Sequence, residues 1–443
     1  MAEPRDYSLL HAVEMIRRRK LSCHELVVSC LERIEARQPD VRAWVTVQAE
    51  QAMELAMEMD REASKNRWRG PLHGIPLGIK DIIDVQGIET KGGTEAHPPH
   101  TPNIDATCVA RLRDAGAIIL GKLTTTPFAF RDPSEARNPW DLSRSPGGSS
   151  AGSGAAVADR MCMGALGTQT GGSVLRPAAY NGVVGFKPTY GTIPTDGVIP
   201  LSWQFDHVGV LARNVEDTHL LWEVLRRSGG DWQTNAERMV ASQKPNAPLT
   251  VWRVRGFFEH EADPKVLVSL EEACLKLEQN GVRVIEKPLP EGIENFEAAY
   301  MPIHNADAAA YHEPNFQENK HRYPTFISET IESGRAVKAV DYVKCLQTKE
   351  RLRVAMVEAM QGVDIALMPT TPTPPPDPST TGSPRFNSPW SMLGLPAISL
   401  PSGLSEAGLP LGVQLVATQG GDKKLLQVAG WVESRLGFSA KPA

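Results

Sequence analysis

The chain has 443 residues, of which 41 % are hydrophobic and 22 % charged, with a formal net charge of −5. The length exceeds what one compact core usually spans, and the composition is that of an ordinary globular protein. A mildly acidic balance argues against a nucleic-acid or anionic-membrane surface, and no apolar run reaches the roughly 20 residues that cross a bilayer.

The opening residues, Met1 to Asp6, show no apolar leader. The six cysteines (Cys23, Cys30, Cys108, Cys162, Cys274 and Cys345) form no CxxC pair. Together these features read as reduced, packed thiols in a cytoplasmic protein.

Residues 7–66 read as helical. Ser22-Cys23-His24-Glu25 is a capping box, and Leu26, Val27, Cys30, Leu31 and Ile34 follow at helical spacing. The apolar run Ile75 to Ile83, bounded by turn residues and enclosing Lys80, predicts a buried strand. A helix near 106–115 leads through Gly116 into a short strand at 117–122. Helix, glycine, buried strand is the pattern of an α/β protein.

Two glycine loops follow, Pro146 to Ser153 and Gly167 to Ser173, separated by a small-residue helix around 155–158; 183–188 is a further strand. The stretch near 228–248 is polar and reads as a surface connection. Residues 249–291 predict strand, helix, strand. Residues 293–360 predict helices broken at Pro302, Pro314 and Pro324. A strand at 364–369, a Pro/Thr-rich loop at 369–384, strands at 396–401 and 411–417 and a helix from about Lys423 complete the chain.

The loops place serine hydroxyls on tight turns, where the backbone can approach a substrate closely. Gly148-Ser149-Ser150-Ala151-Gly152 fits G-x-S-x-G with Ser150 as nucleophile, but that motif requires a strand leading into the turn, and Asp141 to Pro146 is a poor one. The other reading is serine chemistry driven by a lysine. A serine needs a base, and at neutral pH only about one unperturbed lysine in a few thousand is unprotonated. Burial in an apolar strand lowers a lysine's pKa, and Lys80 has that setting. Strand alternation aims Asp81 at the opposite face.

These residues resemble the amidase signature family. The similarity rests on Gly74-Ile75-Pro76-Leu77-Gly78-Ile79-Lys80-Asp81, on the run from Pro146 to Thr189, and on the tail segments Gly394 to Ala397 and Gly408 to Leu415. It spans nearly the whole chain and is weak between about 228 and 360. It implies an α/β fold in which a large, mixed, twisted sheet is sandwiched between α-helices. It implies one amidase domain over 1–443: an N-terminal helical segment 1–66, a catalytic core 67–228, a variable substrate-specificity region 229–390 and C-terminal strands and helix 391–443. It further implies Lys80 as base, Ser173 as acyl nucleophile, Ser149 as proton relay after a cis Gly148–Ser149 bond, and an oxyanion hole from the N–H groups of Thr170, Gly171, Gly172 and Ser173. No cofactor or metal is expected, and His97-Pro98-Pro99-His100 reads as a surface loop.

The chain departs from the family at Gln169, where Asp is usual, and at Leu175, where Arg is usual; Arg176 follows instead. This variant resembles the malonamidase-like branch and implies that Arg176, with Gln169, binds substrate. Arg176 has two readings: it holds a substrate carboxylate, or it pairs with an internal acid. Trp140 and Trp203 are candidates for pocket or core, Tyr300, His304, His312 and Tyr323 for pocket or surface, and Asp206-His207 reads as structural or pocket wall rather than as a second base. The implied activity is hydrolysis of the C–N bond of a small linear amide, including acid amides and ureides such as allophanate or carboxybiuret. One alternative is a component of a complex, similar to the amidase-type chain of glutamyl-tRNA amidotransferase; another is a non-catalytic scaffold. The expected partner is a small-molecule amide, with no nucleic acid and no membrane, and the family implies a homodimer.

Overall fold

A computed structural model describes residues 3–226 and 249–443; the polar stretch near 228–248 lies outside the described residues. In chain order the strands are β1 Trp44–Val47, β2 Pro76–Lys80, β3 Ile118–Leu123, β4 Gly164–Gln169, β5 Val184–Lys187, β6 His207–Ala212, β7 Thr250–Arg255, β8 Arg283–Pro288, β9 Ile365–Pro369, β10 Ala397–Leu404 and β11 Pro410–Val416. They form one mixed sheet in the order β1-β3-β2-β4-β6-β5-β10-β11-β9-β7-β8. No helix among the described residues is long and apolar enough to cross a membrane.

Helices cover both faces of this sheet, as expected. Adjacent residues of β5 show the two layers: a Cβ on Gly185 would lie 2.5 Å from Ala178 of helix Leu175–Asn181, whereas Phe186 meets Trp222 of helix Val215–Leu225 edge-on. The helix Ala151–Ala158 is entirely buried and small-residued, which lets it lie close against β4 and β2. The capping box at Ser22 forms.

Several local expectations need correction. The N-terminal region is not wholly helical: β1 stands between helices Cys23–Val41 and Ala49–Ser64 and pairs antiparallel with β3. The second glycine loop begins as strand, since Gly167 to Gln169 is the end of β4. Pro302 and Pro314 do not break their helix, which runs from Glu297 to Asn319; only Pro324 marks a boundary. Pro302 cannot bond the carbonyl of Ala298, and the Cys345 thiol approaches that oxygen instead, at 3.8 Å.

Register separates two buried lysines. β2 and β3 are parallel, with Ile79 opposite Lys122 and Lys80 opposite Leu123. Lys80 therefore faces the layer that carries Ser149. Lys122 faces the other layer and pairs with Asp81 at 3.0 Å, both side chains fully buried.

Candidate active site

Lys80 is fully buried at the end of β2. Its Nζ lies 2.6 Å from Ser149 Oγ and 2.8 Å from Thr168 Oγ1. Burial pushes the Lys80 ammonium well below the ordinary lysine range; the Asp206 carboxylate opposes this and Arg176 adds to it. A neutral amine has two N–H donors and one lone pair. With one N–H on Thr168, the lone pair is free to face Ser149.

Ser149 is also fully buried, and the Gly148–Ser149 peptide bond is cis. Ser150 is engaged elsewhere: its hydroxyl accepts from Thr168 N and donates to Thr168 O, both at 3.2 Å. The chain before it is loop, so the G-x-S-x-G reading lacks its strand.

Ser173 ends the second loop, at the wall of a cavity of about 230 Å³. Thr170, Gly171, Gly172 and Arg176 line the same cavity. The two loops are tied together, since Ser150 N donates to Ser173 O at 3.3 Å. Among the described residues, the N–H groups of Gly171, Gly172 and Ser173 have no acceptor. Gly172 is required by space: a Cβ there would sit 2.6 Å from Asn387 Oδ1.

Gln169 is fully buried and lies outside the cavity lining. Its Oε1 accepts from Val174 N (2.8 Å) and Leu175 N (3.0 Å), the start of the helix after Ser173. Its Nε2 donates to Ser391 Oγ at 3.0 Å, and Ser391 Oγ donates onward to Gly171 O at 2.8 Å. The side chain expected to touch substrate instead braces the loop from behind. Leu175, in the other departed position, packs in an apolar cluster with Phe205 and Tyr300.

Arg176 is 3 % exposed. Its Nη2 donates to Gly148 O (2.6 Å) and Thr381 Oγ1 (3.4 Å), while Nε and Nη1 have no partner. No carboxylate among the described residues pairs with it, so the reading of an internal ion pair finds no partner among them. Burial lowers its pKa to about 10, which leaves it cationic at neutral pH.

Sequence reasoning misses Thr168. Asp206 braces the site: it accepts from Thr170 Oγ1 at 2.5 Å and from the N–H groups of Leu201 and Ser202. The signal for Thr168 is a hydroxyl inside an otherwise buried strand beside the lysine strand. His207, next to Asp206, is buried behind Gln169 and directs Nδ1 to backbone carbonyls. Tyr300 and His304 do line the cavity; His312 and Tyr323 line another, with His97 and Phe128. The Tyr300 hydroxyl hydrogen-bonds to no described residue. Trp140 donates to Asn181 O and Trp203 is half exposed; neither reaches the cavity. His97 and His100 sit in a surface loop, and no metal-binding group of three or more His, Cys, Asp or Glu occurs among the described residues.

The family model described as Amidase matches residues 25–426. An amidase of Pseudomonas putida is 33 % identical, covering 91 % of this chain and 90 % of its own length. The A-type subunit of the glutamyl-tRNA(Gln) amidotransferase of Geobacter sp. (strain M21) is 32 % identical over 99 % of both chains. Among solved structures, an amidase superposes with a TM-score of 0.88 at 33 % identity, covering 97 % of this chain and 100 % of its own. A 6-aminohexanoate cyclic dimer hydrolase superposes with a TM-score of 0.88 at 25 % identity over 100 % and 99 % of the two chains. With its mixed sheet, buried lysine and paired serine loops, this chain belongs to the amidase signature family and is a hydrolase of C–N amide bonds.

Proposed function

We propose that this chain hydrolyses a small amide that carries a carboxylate, through an acyl-enzyme on Ser173. The observation that carries this reading is Arg176: a buried guanidinium on the wall shared with Ser173, with two unpartnered nitrogens and no carboxylate among the described residues to neutralise it. An unpaired buried charge is costly unless a partner arrives, and a guanidinium suits a bidentate carboxylate.

In this mechanism neutral Lys80 withdraws the proton of Ser149, and Ser149 withdraws that of Ser173. Ser173 Oγ attacks the amide carbonyl. The free N–H groups of Gly171, Gly172 and Ser173 receive the oxyanion, with Thr170 held beside them by Asp206. The relay then returns its proton to the leaving amine. Water hydrolyses the ester by the reverse route. Gln169 acts in this scheme as a brace rather than a substrate contact. Arg176 bonds Gly148 O as well, so it also steadies the residue before the relay serine.

The test is ammonia release by the purified chain from matched primary amides, one neutral and one with a terminal carboxylate. Arg176→Gln should lower kcat/KM for the acid amide about 10- to 100-fold more than for the neutral amide, the worth of a charge-assisted hydrogen bond, the neutral amide losing only the share owed to the Gly148 O contact. Ser173→Ala should abolish both. Comparable turnover of the two amides, reduced alike by Arg176→Gln, would sink the reading. The relatives that are glutamyl-tRNA(Gln) amidotransferase chains favour a second reading, as the amide-hydrolysing part of a complex. Glutamine also carries a carboxylate, so Arg176 does not separate the two. Turnover by the chain alone, without partner or tRNA, does.

A further inference from the structure

Three arginines line the cavity beside Ser173: Arg131, Arg176 and Arg385. Arg385 is neutralised, with ion pairs to Glu261 and Glu297 at 2.8 Å each. Arg176 is unpaired and deep. Arg131 is exposed and has no carboxylate partner among the described residues. It is nonetheless held in place, because its guanidinium lies 5.1 Å from the Phe130 ring centroid and 5.3 Å from that of Phe326.

The backbone that presents Arg131 is unusual. Phe128 and Ala129 are consecutive non-glycine residues with φ of 48° and 59°. Such conformations persist only where their surroundings over-determine them, and they concentrate at functional sites. Here Phe128 is buried against Tyr323 and His312, with ring centroids at 5.1 and 4.5 Å. Thr126 Oγ1 ties the turn by donating to Phe130 O at 2.6 Å. The Phe130 ring then stacks on His304, and His304 on Tyr300, at 5.5 and 5.4 Å. A fixed turn and an aromatic column thus set one unpaired cation at the mouth of a cavity whose floor holds another.

We infer that Arg131 is a second anion anchor, and that the substrate is an amide with two anionic groups, one held deep by Arg176 and the other at the mouth by Arg131. The inference rests on the carboxylate-amide reading and narrows it. Two like charges facing one small cavity repel each other when it is empty, and a dianion offsets both. The mouth is also where a leaving amine reaches solvent, so the second carboxylate belongs on the nitrogen side of the scissile bond.

The probes are three amides with a common acyl part: malonamate, its N-carboxymethyl derivative and its N-ethyl derivative. Initial rates are measured for the full chain and for Arg131→Gln, and binding of the same compounds is measured calorimetrically to Ser173→Ala. The N-carboxymethyl amide should exceed the N-ethyl amide by about ten-fold in kcat/KM and in affinity. Arg131→Gln should remove that preference, its loss on the N-carboxymethyl amide exceeding its losses on malonamate and on the N-ethyl amide by about ten-fold. Arg131→Lys should restore part of it. An unchanged preference in Arg131→Gln, equal losses on all three probes, or no preference in the starting protein would each overturn the inference. Arg176→Gln separates this failure from failure of the underlying reading: if malonamate is untouched by that change, the deep anchor is wrong whatever Arg131 does.

Discussion

Replacing Gln169 with Leu separates a brace from a substrate contact. The two side chains are similar in volume, but Leu offers no acceptor to Val174 N and Leu175 N and no donor to Ser391. Each buried donor left without an acceptor costs about 1–3 kcal/mol. Allowing for the burial gain of the apolar side chain, the expected loss is about 2–5 kcal/mol. The damage falls on the turn that carries Ser173 and, through Ser391, on Gly171 O. Misplacing a reacting group by about 1 Å costs on the order of 100-fold in rate. Urea unfolding and steady-state kinetics on one amide substrate check both quantities. The unfolding midpoint should fall, kcat should drop steeply, and KM should change little. A variant with an unchanged midpoint, near-normal kcat and a raised KM would refute this reasoning and return Gln169 to the substrate.

Thr168→Val removes the acceptor that orients Lys80. An ammonium donates more strongly than an amine, so the loss penalises the charged form and lowers the Lys80 pKa further. The acid limb of the kcat–pH profile should move to lower pH, while the plateau falls by about ten-fold from lost orientation; a limb displaced to higher pH would contradict the assignment of Lys80 as base. On the opposite face, Lys122→Met strands the buried Asp81 carboxylate and should cost about 3–5 kcal/mol of stability, with much of it recovered in Lys122→Met/Asp81→Leu. Urea titrations of the single and double variants check this, and equal losses in both would argue against a coupled pair.

The strand carrying Lys80 and the fold class are legible because a charged residue inside an apolar strand is rare enough to stand out, and because helix and buried strand alternate visibly. Less is legible where pairing comes from far away. β1 has four residues, and its partner β3 lies more than 70 positions later; nothing local distinguishes it from a helix linker. Pro302 reads as a break because a proline costs its helix one hydrogen bond, yet the Ala298 carbonyl finds Cys345, a contact that only tertiary packing supplies. Gln169 reads as a substrate contact because it departs from the family close to Ser173. In a strand successive side chains point to opposite faces, and Gln169 turns inward to Ser391, 222 positions away. Arg131 is silent in the sequence, as any exposed arginine is; its meaning comes from the left-handed turn beneath it and the cavity beside it.

The strand order has a consequence for how this chain is made. β9, β7 and β8 join the strands that hold Lys80 and Thr168 only through β10 and β11, which pair with β5 on one side and β9 on the other. Those two strands lie within the last fifty residues of the chain. During synthesis two half-sheets therefore emerge with open edges and cannot be joined until the hairpin leaves the ribosome, a slow and aggregation-exposed arrangement. Truncation before residue 396 should leave two sheet portions with no strand pairing between them. Asn387, which packs against Gly172, would then be without Gln414, which bonds Asn387 and the Phe386 carbonyl, so the nucleophile loop, made long before β11, gains this support only once β11 is in place.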